Sequence, residues 1–214
     1  MFGRIASDAL GLSDLGIIVS PADYAKVDAD DYLFHEDGER IFFLIKSKKD
    51  EYCFTNLALI HVDGDSAVSS KRTIKRFEYS NQRVNWVTIE TAGTVDRDVE
   101  LKFELAERVF SIDIKKSFLE QVKDIYKALF AISRQQVRDQ SARANSMQSL
   151  AALGSMLKLG NLDGPTAAVA YFDAVDAAFN RAMLDTHHKR DYADVFERYI
   201  HNGQQAPRPT PASA

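Results

Sequence analysis

Residues 64–76 read GDSAVSSKRTIKR, and within them Ser69, Ser70, Lys71, Arg72, Lys75 and Arg76 combine hydroxyl and cationic donors. Such a set can grip a phosphate or another anion through charge-assisted hydrogen bonds. Written as a strand, Lys71, Thr73, Lys75, Phe77 and Tyr79 point one way, and Arg72, Ile74, Arg76 and Glu78 the other. Neither face is purely apolar. That mixture belongs to an edge strand, where charge blocks unwanted pairing, or to a subunit contact, where Arg is enriched. The edge or interface reading leads because charge runs usually line solvated faces. Anion recognition by the same six residues is the alternative.

Other reactive groups do not converge in the sequence. His35, His61 and His201 are isolated, and His187-His188 are adjacent, so their side chains leave a helix in different directions. His187 and Asp191 have helical i, i+4 spacing, but two ligands do not make a metal site. Cys53 stands between Tyr52 and Phe54 without a nearby base, which suits a strand residue better than a nucleophile. Asp28, Asp30 and Asp31, or Asp63 and Asp65, lack the ligand spacing of a calcium loop. No phosphate loop or dinucleotide fingerprint is present. The expectation is a non-enzyme with no cofactor and no metal.

The 214 residues carry a net charge of -4, which argues against a general nucleic-acid binder. Hydrophobic residues make up 45%, enough for a core without disulfide or metal staples. A lone cysteine fits a reducing cytoplasm. Asp8 and Asp14 interrupt the apolar start, so no secretory signal is expected, and no run approaches the roughly 18 apolar residues of a spanning helix. Any membrane role would be peripheral.

The elements that must position these groups fall into three zones. The first, 1–32, is a helical leader whose Ile5, Leu10, Leu12, Leu15 and Ile17 are expected to lie on a neighbouring sheet, with Pro21 opening a further turn. The second predicts six or seven short strands. RIFFLIKS (40–47) and YCFTNLALIHV (52–62) are apolar runs, the latter with a bulge or bend at Asn56, and DGD (63–65) is a turn. KRTIKRFEY (71–79) and VNWVTIET (84–91) follow. In VELKFEL (99–105) Val99, Leu101, Phe103 and Leu105 alternate with charges, and VFSIDIK (109–115) repeats the pattern after a tight turn at 106–108.

The third zone is helical. Ser117 and Glu120 have capping-box spacing ahead of Phe118, Val122, Ile125, Leu129 and Ile132, which share one helix face. This helix, 117–135, should plug the sheet. After a polar stretch at 135–146, helices are expected over about 165–184 and 190–202, and QQAPRPTPASA has the composition of a disordered tail.

ASDALGLSDLG (6–16), KVDADDY (26–32), LIKSKKDEYCFTNLALIHVDGDSAVSSKRTIKRFEY (44–79) and ETAGTVDRDVELKF (90–103) resemble the bacterial pleckstrin-homology-like family. That family includes the YvbH-like proteins with an appended helical oligomerisation region. The resemblance implies an α+β fold: a bent antiparallel β-sandwich or barrel capped by a C-terminal helix, then an α-helical extension. It implies the boundaries 1–135 for the pleckstrin-homology-like domain, 136–203 for the extension and 204–214 for the tail. It also implies self-assembly into a ring-like homo-oligomer, and no substrate. The expected partner is the chain itself, with another protein, an anionic lipid or a phosphate ligand as alternatives. The expected role is an oligomer-forming, non-enzymatic scaffold in the cytoplasm or at the membrane periphery.

Overall fold

Among the described residues, eight strands form two antiparallel sheets. β1 (Ile17–Ile18), β2 (Ile41–Lys46), β3 (Glu51–Thr55), β4 (Ala58–Gly64) and β5 (Arg72–Glu78) pair in sequence order, with β5 outermost. β6 (Val84–Glu90), β7 (Asp98–Leu105) and β8 (Arg108–Lys115) make the second sheet. The structure is a computed structural model describing residues 14–64, 72–91, 98–156 and 164–201. The chain divides into two units, one of residues up to Ile132 together with those from Asp191 onward, the other Ser133–Arg190.

The burial of each strand follows from its pattern. β7 alternates strictly: Val99, Leu101, Phe103 and Leu105 are buried, while Glu100, Lys102 and Glu104 lie on the outer face. Its turn into β8 places Ala106 and Glu107 at φ 55° and 60°, as the twist of a two-residue hairpin demands. β2 is apolar from Ile41 to Ile45 because its sheet is covered on both sides. Phe43 and Ile45 enter the main core with Phe54, Leu59 and the second sheet. Leu44 faces a smaller core with Cys53, Ile60, Val62, Val27, Ala29 and Leu33. A bulge between Ile41 and Phe43 turns Phe42 into the main core beside Phe43.

Two expectations about this region change. The run 52–62 is not one bent segment but the hairpin β3–β4. Thr55 explains why: its Oγ1 accepts the backbone N–H of Leu57 (3.1 Å) and of Ala58 (2.9 Å), closing a tight turn at Asn56. Asp63 and Gly64, expected as a turn, are instead the last pairs of β4, opposite Thr73 and Arg72.

The leader does more than lie on a sheet. Ile17 and Ile18 pair with Lys46 and Ile45, while Gly16 bridges to Ile114. Gly16 N–H donates to Asp113 O at 2.7 Å, and Lys115 N–H to Gly16 O at 2.9 Å. One short segment thereby joins the two sheets. Only glycine fits there, because an added Cβ would stand 2.7 Å from Ile45 Cγ2. Three 3-10 turns, Pro21–Lys26, Asp28–Tyr32 and His35–Asp37, follow, and their Val27, Ala29 and Leu33 build the smaller core. Ile5, Leu10 and Leu12 lie outside the described residues.

α1 (Leu119–Met156) begins after a 3-10 turn at Lys116–Phe118. Val122, Ile125, Leu129 and Ile132 are fully buried and share one core with Val99, Leu101 and Phe103, so the helix plugs the sheets as its stripe requires. The polar stretch 135–146, placed beyond a helix of 117–135 in the sequence, is a continuation of it. Nothing there breaks a helix, and Gln135 donates to Asp139 (2.7 Å) across one turn. α2 (Pro165–Asn180) runs into a π-type turn at Arg181–Thr186.

α3 (Ala193–Tyr199) returns to the first unit. Tyr192, Val195, Phe196 and Ile200 are buried in the main core, and Phe196 stacks on Phe42 with centroids 5.2 Å apart. Asn56 anchors the return. Its Nδ2 donates to Asp191 Oδ2 at 2.9 Å, and its carbonyl accepts the Tyr192 N–H at 2.9 Å. The tail 204–214 lies outside the described residues. Among the described residues no helix is long and apolar enough to cross a membrane.

Candidate functional site

Of the six residues singled out in the sequence, Ser69, Ser70 and Lys71 lie outside the described residues. The other three share β5, the outer strand of the five-stranded sheet. Lys75 Nζ donates to Asp63 Oδ2 across the strand pair at 2.8 Å, and that bond holds the Asp63 carboxyl below its ordinary value. Arg72 Nε lies 3.7 Å from Asp28 Oδ2. Arg76 goes deepest: its NH1 reaches both oxygens of Glu39, at 3.1 and 3.0 Å, and its Nε donates to Glu78 at 3.3 Å. The Arg76 guanidinium also covers the Phe34 ring at 4.6 Å.

Two buried carboxylates, Glu39 and Glu51, organise this face, and the sequence reading missed them. Glu39 accepts the Phe34 N–H (2.8 Å) and the Thr55 hydroxyl (2.6 Å) as well as Arg76. Glu51 accepts the backbone N–H groups of Asp28 (3.3 Å) and Ala29 (2.9 Å) and pairs with Lys46. In sequence, Lys46 and Glu51 look like members of a mixed surface hairpin. Their depth comes from the leader, which crosses the sheet and removes both from water. No local signal distinguishes such a carboxylate from a solvated one.

The remaining chemistry-bearing side chains are dispersed. Cys53 is fully buried, and burial, then Glu51 and Glu39, push its thiol well above the ordinary range. His61 is buried under Tyr52, ring centroids 4.5 Å apart, with Nε2 3.2 Å from Asp50 Oδ1. His35 stands 3.5 Å from Asp30, and His188 lies 3.2 Å from Arg143 in the other unit, its pKa lowered by burial and then by Arg143. Among the described residues, no three His, Cys, Asp or Glu side chains are placed to hold a metal ion.

Among the described residues, the first unit carries the following depressions. An acidic one of about 380 Å³ on the second sheet is lined by Glu90, Thr91, Asp98, Glu100 and Asp113. Burial, then Glu100 and Asp98, raise the Asp113 carboxyl. A second, of about 260 Å³, opens where the leader, β2, the start of α1 and the end of α3 meet. In the other unit, α2 buries none of its side chains, and Val169 and Phe172 are 60% and 68% exposed. Val169 and Phe172 stand three residues apart and so share one face of the helix.

Residues 9–133 match the family model described as the bacterial PH domain, and residues 175–202 match that of the YvbH-like oligomerisation region. The chain is 48% identical over 204 residues to the uncharacterized protein YvbH of Bacillus subtilis (strain 168), covering 94% of this chain and all of the relative. A crystal structure of a PH domain containing bacterial protein from Exiguobacterium sibiricum 255-15 superposes with a TM-score of 0.80 at 40% identity. That match covers 87% of this chain and all of the other.

Proposed function

We propose, since the chain belongs to the bacterial PH domain family and carries a YvbH-like oligomerisation region, that it is a non-enzymatic scaffold that assembles with copies of itself. The observation that carries this reading is α2. It leaves Val169 and Phe172 in water, buries no side chain, and enters the matched oligomerisation region at residue 175. α3 lies in the same region, but Tyr192 and Phe196 are spent within their own subunit's core. The contacts between copies therefore fall to α2 and the turn after it. If copies meet head to tail through this face, they form a ring when the rotation closes.

The basic strand fits this reading as an edge. Arg72, Lys75 and Arg76 each face a carboxylate, so a phosphate would compete with Asp28, Asp63 and Glu39. Burial and the raised thiol pKa argue against Cys53 as a nucleophile. A lone buried cysteine suits the reducing cytoplasm.

Sedimentation velocity on the full chain tests the proposal. The wild type should run as one sharp high-order species, and the pair Val169→Glu and Phe172→Glu should shift it to monomer with unchanged circular dichroism. A monomeric wild type at micromolar concentration overturns the scaffold, and an unaffected double variant overturns the assignment to α2.

A further inference from the structure

The 260 Å³ pocket of the first unit has a composition that the scaffold reading leaves unused. Ile18 and Tyr24 of the leader, Phe43 of β2, Phe118 and Asp124 at the start of α1, and Ile200 after α3 line it. Asp124 is the unusual member. It sits on the pocket side of α1, while Val122 and Ile125 face the main core. Its side chain is only 9% exposed.

A buried carboxylate needs donors, because its two oxygens offer about four acceptor sites and leaving them unmade is costly. Among the described residues, the polar contact of Asp124 is the Lys127 ammonium at 3.6 Å. That separation is beyond hydrogen-bond distance. Lys127 is 41% exposed, so its ammonium keeps much of its hydration. The carboxylate thus presents charge to a small cavity whose other walls are mostly aliphatic and aromatic, with Ser20, Gln121 and His201 as its further polar members.

Aromatic faces beside an anion are a recognised environment for an organic cation, since ring quadrupole and carboxylate attract the same charge. We propose that this pocket binds a small organic ammonium, an amine-bearing head on a compact apolar body, with its N–H groups donated to Asp124. Size limits the body: ligand pockets for drug-sized molecules start at about 300 Å³, and this one is slightly smaller. A single ring or a short alkyl chain fits. An anionic ligand is excluded from this wall by the same charge. The site lies in the first unit and α2 in the other.

The test uses two isosteres, benzylammonium and benzyl alcohol, titrated into the full chain at neutral pH and followed by backbone amide shifts. The ammonium should bind saturably at least about tenfold more tightly than the alcohol. Shifts should centre on Ile18, Tyr24, Phe43, Phe118 and Ile200. Asp124→Asn should remove that tenfold preference while leaving the alcohol's affinity unchanged. Equal affinity of the two probes on the wild type, or no saturation by the ammonium at about 10 mM, overturns the proposal without recourse to any variant. So does ammonium binding that Asp124→Asn leaves intact.

Discussion

Replacing Arg76 with Met isolates the charge that holds the leader to the sheet. The Glu39 side chain is fully buried and Arg76 is 20% exposed. After Arg76→Met the carboxylate keeps two neutral donors, the Phe34 N–H and the Thr55 hydroxyl, and loses the one guanidinium nitrogen that its two oxygens share. Removing one partner of a buried pair costs about 3–5 kcal/mol because the other charge is stranded. Arg76's partial exposure and the two surviving donors place this case at about 3 kcal/mol. Loss of the contact with Phe34 adds about 0.5 kcal/mol, the figure for an exposed cation–π pair. Urea unfolding followed by the fluorescence of Trp86, the chain's single tryptophan, reads the sheet unit directly. For a chain of this size the combined loss corresponds to a melting shift of about 7–14 °C.

Two companions make the mechanism specific. Glu39→Gln combined with Arg76→Met removes the stranded charge. The amide oxygen can still accept the Phe34 N–H while the amide NH2 donates to the Thr55 hydroxyl oxygen, which keeps its own donation to Ala58 O, so the pair should recover at least half of the loss. Lys75→Met breaks the partly exposed pair with Asp63, and should cost about 1 kcal/mol or less. If Arg76→Met costs no more than Lys75→Met, or if the double variant is worse than the single one, Glu39 is not a buried charge held by Arg76 and the reasoning fails.

Phe196→Ala should cost about 3–5 kcal/mol in the same urea assay, because Phe196 is fully buried against Phe42 and Tyr79; a loss under about 1 kcal/mol would mean that α3 is not part of that core. Cys53 should resist iodoacetamide at pH 8 until the chain unfolds, since burial keeps its thiol protonated. Its pKa is raised on folding, so its contribution to stability is complete below the unfolded value of about 8.5 and declines as pH rises beyond that toward the folded value. Alkylation of the native chain at the rate of a free thiol would contradict its burial.

Local periodicity was enough for elements whose environment is one-sided. The alternation of Val99, Leu101 and Phe103 and the stripe from Val122 to Ile132 each name a buried face, and those two faces meet. The mixed character of residues 72–78 announced an outer strand for the same reason: two unlike faces and no continuous apolar row. The resemblance of several strings to the bacterial pleckstrin-homology-like family extended this to a fold.

What stayed hidden depends on partners distant in sequence. RIFFLIKS has no polar face because the leader covers a second side of its sheet, and nothing within the run says what does so. Glu39 and Glu51 read as surface charge until Arg76, Lys46 and the backbone at Phe34, Asp28 and Ala29 close around them. Asn56 looked like a bend and is the tether for a helix 135 residues away in sequence. Asp124 lies in a helix whose other face alone was legible, and its pocket exists only where four separate segments converge. Periodicity reports how a residue relates to its neighbours along the chain; depth, and therefore the energetics of a charge, is decided by what folds over it.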